Sequence, residues 1–256
     1  MKTKKILLVL MLAMFVSQSN AQNVKLAVQA GANFTSMSKK VSSEIEEELF
    51  TYYNYRPGLR IGVLAEYELK NGLALQSGLF YTQKGFNKDL KKLEDMANED
   101  SSEKVEVTGD WSNRYNYLEL PIHLVYNIKD FNVYVGPYLA YGLGGKAKLD
   151  LTFTDESGDK ETYKGEADIN AVGGDVLQND FFNEDVFEVV VYKKFDAGVD
   201  LGVGYKYDKF LFQAQYSMGF INIIPQISDS TNEFDVDKDY NLKNKGFSLS
   251  LSYFFK

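Results

Sequence analysis

The feature that most constrains this chain is the spacing of its links. Beyond about the first twenty residues the sequence divides into eight strand-like segments, and the links between them alternate long and short. The short links are Lys70-Asn71-Gly72, Lys129-Asp130 and Asp208-Lys209. The long ones run over Ser36–Arg56, Asn87–Arg114, Lys146–Lys194 and Ile223–Lys245. Tight turns on one side and long loops on the other are how an antiparallel barrel is threaded through a bilayer. The segments are about nine to fourteen residues long, and a tilted strand needs about 9–11 to cross.

Strand period is two, so alternate residues share a face. Along Phe195–Tyr207 one face carries Phe195, Ala197, Val199, Leu201, Val203, Tyr205 and Tyr207, and the other carries Asp196, Gly198, Asp200, Gly202, Gly204 and Lys206. The same split recurs in Phe210–Phe220, where Phe212, Tyr216 and Met218 oppose Gln213, Gln215 and Ser217. In Phe247–Phe255, Leu249, Leu251 and Tyr253 oppose Ser248, Ser250 and Ser252. A soluble lipocalin-like barrel also alternates, with its apolar face inward. Here the polar face is rich in Gly, Ser, Gln and Ala, small enough for a narrow lumen. The apolar face is bulky and ends in aromatics beside the short turns, at Tyr67, Tyr126, Tyr205, Tyr207 and Tyr253. Aromatic girdles at a membrane interface read this way. The expected fold is therefore all-β: an eight-stranded antiparallel up-and-down transmembrane β-barrel, apolar face outward.

An eight-stranded barrel fills its interior with side chains. The polar face puts Arg60, Glu66, Glu119, His123, Asp196, Asp200 and Lys206 inside, with Gln76, Gln213 and Gln215. Buried charges need partners, so these residues are expected to form a structural polar network that plugs the lumen. The period does not say which residue pairs with which.

The N-terminus reads as a secretory signal peptide. Lys2, Lys4 and Lys5 precede the apolar run Ile6–Val16, and Ser19-Asn20-Ala21 places small residues for cleavage after Ala21. This divides the chain into a signal peptide over 1–21 and a barrel domain over 22–256, exported to the cell outer membrane of a Gram-negative cell. Losing the three lysines takes the formal net charge from −8 to −11. An acidic surface argues against nucleic acid as a partner. Much of the negative charge sits in the long links, for example at Glu46, Glu47, Glu48, Asp95, Asp155, Asp235, Asp237 and Asp239.

Little in the chain points to chemistry. With no Cys and a single histidine, thiol catalysis is excluded and a zinc site is disfavoured. Barrels that modify lipid A use Ser and His near the outer rim, whereas His123 lies mid-strand. Glu119 shares its face but is four residues away, about 13 Å at 3.3 Å per residue, too far for an acid–base pair. Neighbouring strands could offer Ser77 or Glu66. Asp235-Val236-Asp237-Lys238-Asp239 has the spacing of half a calcium loop but lacks the following Gly and the distal Glu. Ser42–Phe50 and Lys88–Ala97 are rich in helix formers, with Leu90, Leu93 and Met96 recurring every three residues. Lys148–Phe153 and Glu161–Tyr163 read as an extension of the fifth strand and a hairpin outside the membrane, and Glu188–Tyr192 as an extension of the sixth strand. No catalytic residue, cofactor or metal is expected.

The segment YNYLELPIHLVYNI at Tyr115–Ile128 resembles the Y-x-E-[IL]-P-[LI] strand of the PorT-like outer-membrane β-barrel proteins of Bacteroidetes. LQSGLFYTQKGF at Leu75–Phe86, VYVGPYLAYGL at Val133–Leu143 and VKLAVQAGANFTSM at Val24–Met37 are similar to other strands of that family. The resemblance implies a single eight-stranded barrel and little about activity. It makes a non-enzymatic barrel with a structural or interaction role the leading expectation. An accessory subunit of a secretion complex, related to type IX secretion, or of a surface-binding complex is the alternative, and a lipid A-modifying enzyme comes last. Expected partners are outer-membrane lipid and lipopolysaccharide, the barrel assembly machinery reading the aromatic final strand, and a protein bound through the extracellular loops.

Overall fold

The computed structural model describes residues 24–40, 53–99, 103–173, 176–177, 190–225, 227–228 and 241–255. The strands are β1 (Val24–Lys40), β2 (Tyr53–Glu68) and β3 (Leu73–Lys88), then helix α1 (Leu90–Glu99), β4 (Glu106–Ile128) and β5 (Phe131–Thr154). They continue with β6 (Lys160–Val172), β7 (Val176–Leu177), β8 (Val190–Lys193), β9 (Phe195–Tyr207), β10 (Phe210–Gly219), β11 (Ile227–Ser228) and β12 (Asn241–Phe254).

Eight of these strands close a hydrogen-bonded ring, in the order β1, β2, β3, β4, β5, β9, β10, β12 and back to β1. Every pairing in it is antiparallel. Closure leaves none of the eight with a bare edge along its shared ladder, which removes the aggregation hazard of an open sheet. The short links are tight turns. Asn71, Lys129 and Asp208 adopt left-handed backbone there, at φ of 60°, 57° and 51°.

The two faces of the wall differ sharply. Val28, Ile61, Leu79, Ile122, Val135, Leu201, Phe212 and Leu251 are among the large apolar residues exposed on the outside. Gln29, Arg60, Gln76, Thr82, Glu119, His123 and Asp200 are buried inside. Aromatic pairs bound the apolar belt. Phe131 packs on Tyr205 at 4.9 Å beside the short turns, and Tyr141 packs on Phe195 at 5.4 Å at the other end.

Two expectations about the strands need correction. β4 is 23 residues long, well beyond the nine to fourteen read from the sequence, while β5, at 24, includes the expected extension of the fifth strand over Lys148–Phe153. Their ladder continues past the belt to Glu106↔Thr154, and β6 joins it through Gly145↔Ile169 to Thr154↔Lys160. The expected hairpin is thus one sheet with the wall below it, since polar alternation lets a ladder run on in water. β8 does not extend the sixth ring strand along its own ladder. It folds against β6 in parallel, Ile169↔Val190 to Val172↔Lys193. α1, ten residues long, forms where the Leu90, Leu93 and Met96 spacing suggests only a short amphipathic turn, and Glu94 accepts from the backbone N–H of Val107 on β4 at 2.9 Å. Ser42–Phe50, the half calcium loop at Asp235–Asp239 and the signal peptide lie outside the described residues.

Candidate functional site

The interior of the ring holds the chain's buried charges. Arg60 on β2 and Lys84 on β3 both reach Glu119 on β4, Arg60 through Nη1 to Oε1 and Lys84 at 2.9 Å to Oε2. Lys84 also reaches Asp196 on β9 at 3.1 Å. The other oxygen-bound contacts of Asp196 come from Tyr138 OH at 3.2 Å and Asn244 Nδ2 at 2.9 Å, both on Oδ2. Lys84 Nζ sits 4.0 Å from the Tyr138 ring centroid, and the Arg60 guanidinium lies 4.2 Å from that of Phe80. Paired charges with aromatic faces beside them are what a low-dielectric interior tolerates.

His123 is bonded to Asp200 Oδ2 at 2.9 Å through Nε2 and stacks on Tyr134 at 5.0 Å. The partners suggested by sequence are engaged elsewhere. Ser77 donates to the Pro121 carbonyl at 2.8 Å, and Glu66 accepts from Gln76 at 2.6 Å. Gln213 links Gln76 to Gln29, which donates in turn to Ser252 at 2.8 Å. Of the seven charged and polar residues expected inside, six are buried in these contacts. Lys206 is not among them: it is half-buried, with its amine 5.1 Å from the Phe254 ring near the short-turn end. Lys84, Tyr138 and Asn244 complete the cluster and were not among the expected charges. Lys84 was on the right face by period, and its role shows only once closure brings β9 within reach.

Apolar layers lie above and below. Toward the long links Met37, Phe86, Tyr115, Tyr117, Tyr192 and Leu242 pack with Tyr138 and Ile223. Tyr192 on β8 crosses that end: its hydroxyl lies 3.1 Å from the carbonyl oxygens of Asn116 and Gly144 and accepts from Gly144 N–H at 3.0 Å. Toward the short turns Ala27, Leu64, Phe80, Leu211 and Phe254 pack together. Between the layers a cavity of about 20 Å³ is lined by Arg60, Lys84, Glu119, Thr82 and Asn244 among others, room for about one water. Among the described residues no group of three or more His, Asp or Glu is placed to hold a metal ion.

A closed antiparallel ring with an apolar outside and a charged inside is the arrangement of a barrel solvated by lipid. The model of the outer membrane protein beta-barrel domain matches residues 16–225 of the chain. The protein belongs to this outer-membrane barrel family. Solved structures similar to the barrel include Neisserial surface protein A, at 12% identity and a TM-score of 0.40, covering 89% of this chain and 96% of that one. Ail of Yersinia pestis, solved in complex with the heparin analogue sucrose octasulfate, is similar at 12% identity and a TM-score of 0.38, covering 91% and 100%. A major outer membrane protein from Thermus thermophilus is similar at 15% identity and a TM-score of 0.35, covering 91% and 99%. No curated protein matches the chain. Membership of the family puts the barrel in the outer membrane and brings no enzymatic activity with it.

Proposed function

We propose that this protein is an eight-stranded up-and-down transmembrane barrel whose sealed lumen serves as a rigid anchor for the long links, held outside the cell in a structural or interaction role. The observation that carries the reading is the filled interior. Charges are paired around Glu119 between two apolar layers, and the cavity among them is about 20 Å³. A hydrated ion does not pass a space with room for about one water. The exported chain would lose residues 1–21, and the Leu118–Pro121 strand supports a place among the PorT-like barrels of Bacteroidetes. His123, held by Asp200 inside the ring, has no exposed face for a lipid substrate.

The test is conductance. Purified, folded protein, recognised by its altered gel mobility before boiling, is expected to give no stable current steps in planar bilayers. Reproducible ohmic channels would overturn the sealed-lumen reading. A role as an accessory subunit of a secretion or surface complex is supported by one further observation. The outer sheet leaves β6 residues 160–168 paired on one side only among the described residues, with Tyr163 53% exposed. Crosslinking on intact cells through residue 163 is expected to capture a stable partner if that role holds, and none if the barrel acts alone.

A further inference from the structure

Among the described residues Lys84 is the one buried lysine. Its Nζ lies 2.9 Å from Glu119 Oε2 on β4 and 3.1 Å from Asp196 Oδ2 on β9, and the side chains of all three are at most 6% exposed. Aromatic faces rather than bulk water surround the amine, with the Tyr138 ring centroid at 4.0 Å and that of Tyr117 at 5.3 Å. The two oxygens of Asp196 are held unequally. Oδ2 accepts from the Tyr138 hydroxyl at 3.2 Å and from Asn244 Nδ2 at 2.9 Å, whereas Oδ1 is buried with no hydrogen-bond partner among the described residues. An ion pair needs only the first contact. An amine one bond away from a carboxyl carbon, a second carboxylate on that amine to take its proton, and two donors on one carboxyl oxygen together make an acyl-transfer site.

We propose that Lys84 and Asp196 join in a side-chain amide, formed by the folded chain itself and crossing the lumen from β3 to β9. Lys84 gives a proton to Glu119, and the freed lone pair attacks Asp196 Cγ. The charge that gathers on Oδ2 is held by Tyr138 OH and Asn244 Nδ2. The bond from Cγ to Oδ1 breaks as Glu119 passes its proton to Oδ1. A second proton from the nitrogen follows, and Oδ1 leaves as water. An ammonium and a carboxylate thereby become one amide and one water, with no other reactant. In open water the separate ions are favoured. Here the fixed geometry supplies an effective concentration of about 10⁵ M or more, and a neutral amide replaces two buried charges. Arg60 remains to balance Glu119. The link ties residues 112 positions apart, on strands separated by three ladders of the ring, which no hydrogen bond of the wall does. It makes the anchor covalent and does not depend on the lumen being sealed.

The test is peptide mapping by mass spectrometry on the unaltered chain, unfolded in urea and after folding into detergent with no other protein present. Digested with trypsin after denaturation, the folded protein is expected to give a branched peptide. In it Asn71–Lys88, uncut at Lys84, is joined to Phe195–Lys206 with the mass of one water missing. The chain that has never folded is expected to be cut at Lys84 and to give no branched peptide. Lys84→Arg, which keeps the charge without the amine, is expected to abolish the branched peptide, and Glu119→Gln, which keeps the shape without the base, to reduce it at least about tenfold. Folded, unaltered protein that is fully cut at Lys84 and gives no branched peptide would overturn the link, and that comparison needs no variant to fold. A branched peptide undiminished in Glu119→Gln would overturn the proton transfer assigned to Glu119. None of these readings uses conductance, so open channels in a planar bilayer would sink the sealed lumen and leave the link standing.

Discussion

At the residue scale the interior is governed by Glu119, the one carboxylate that two buried cations share. Replacing it by Gln keeps the shape and leaves Arg60 without its main counterion. Breaking a buried pair from one side costs about 3–5 kcal/mol, so Glu119→Gln is expected to destabilise folded protein in vesicles by that amount, measured by urea titration with the unboiled gel mobility as readout. A change under about 1 kcal/mol would mean that water reaches the cluster. Glycines do a different job, seating the aromatics that fill the lumen. A Cβ on Gly202 would stand 2.2 Å from Tyr134 Cζ, and one on Gly198 2.6 Å from Tyr138 Cε1. Gly202→Val should therefore cost about 1–3 kcal/mol through overpacking, measured in the same urea titration. The faces of these residues are legible in the sequence because period two is local. Their partners are not, because the contacts join residues 59, 77 and 112 positions apart. Those distances in sequence are bridged only by the ring closure and its stagger, which is why Asp200 rather than Ser77 or Glu66 meets His123.

At the element scale the turns and the outer hairpin are the informative parts. The short links are legible since tight turns between antiparallel strands call for residues that tolerate left-handed backbone. Asn71-Gly72 meets that demand, and Lys129 meets it badly, holding φ of 57° with a long side chain. Lys129→Asn is expected to raise stability by up to about 1 kcal/mol, the penalty a left-handed L-residue carries, with unfolding in urea as the measure. The β5–β6 turn is organised by Asp155. Its Oδ1 accepts from Ser157 N–H and Asp159 N–H, each at 2.9 Å, and from the Ser157 hydroxyl at 2.7 Å. The Ser157 hydroxyl and these backbone donors favour the ionised form and hold the Asp155 carboxyl below its ordinary pKa. A depressed folded-state pKa gives order that is present above the ordinary aspartate range and lost as pH falls through the lower value. Amides around 155–160 should therefore be better protected from exchange at neutral pH than in acid, once the intrinsic exchange rate at each pH is divided out. Asp155→Ala should remove that protection at both. What the sequence hid at this scale was the length of β4: nothing in its alternation marks where lipid ends and water begins, because polar residues on both faces start only gradually above Leu118.

At the scale of the whole molecule, the belt has a height that can be set against a bilayer. From the Phe131–Tyr205 pair to the Tyr141–Phe195 pair is ten steps on each strand, about 33 Å along the strand and roughly 25 Å along the axis of a barrel tilted by about 40°. That is the apolar height of an outer-membrane barrel. The belt alone is symmetric, and what distinguishes its ends is what lies beyond them. Three tight turns lie past the Phe131–Tyr205 end, while the β4–β5–β6 sheet, α1 and the Tyr192 crossing lie past the other. The charged pairs Lys146–Glu166 at 2.7 Å and Lys164–Asp150 at 3.3 Å on that sheet are solvated, and a folded sheet of this kind needs water on its polar face. Placing it outside the cell therefore makes a directional prediction. A protease site inserted between Ser157 and Gly158 should be cut on intact cells, and the same site inserted between Asp208 and Lys209 should be cut only after the outer membrane is opened. Both insertions fall in exposed turns, so each barrel should still show folded mobility on an unboiled gel. The reverse pattern of cleavage would invert the barrel in the membrane and turn the long links toward the periplasm.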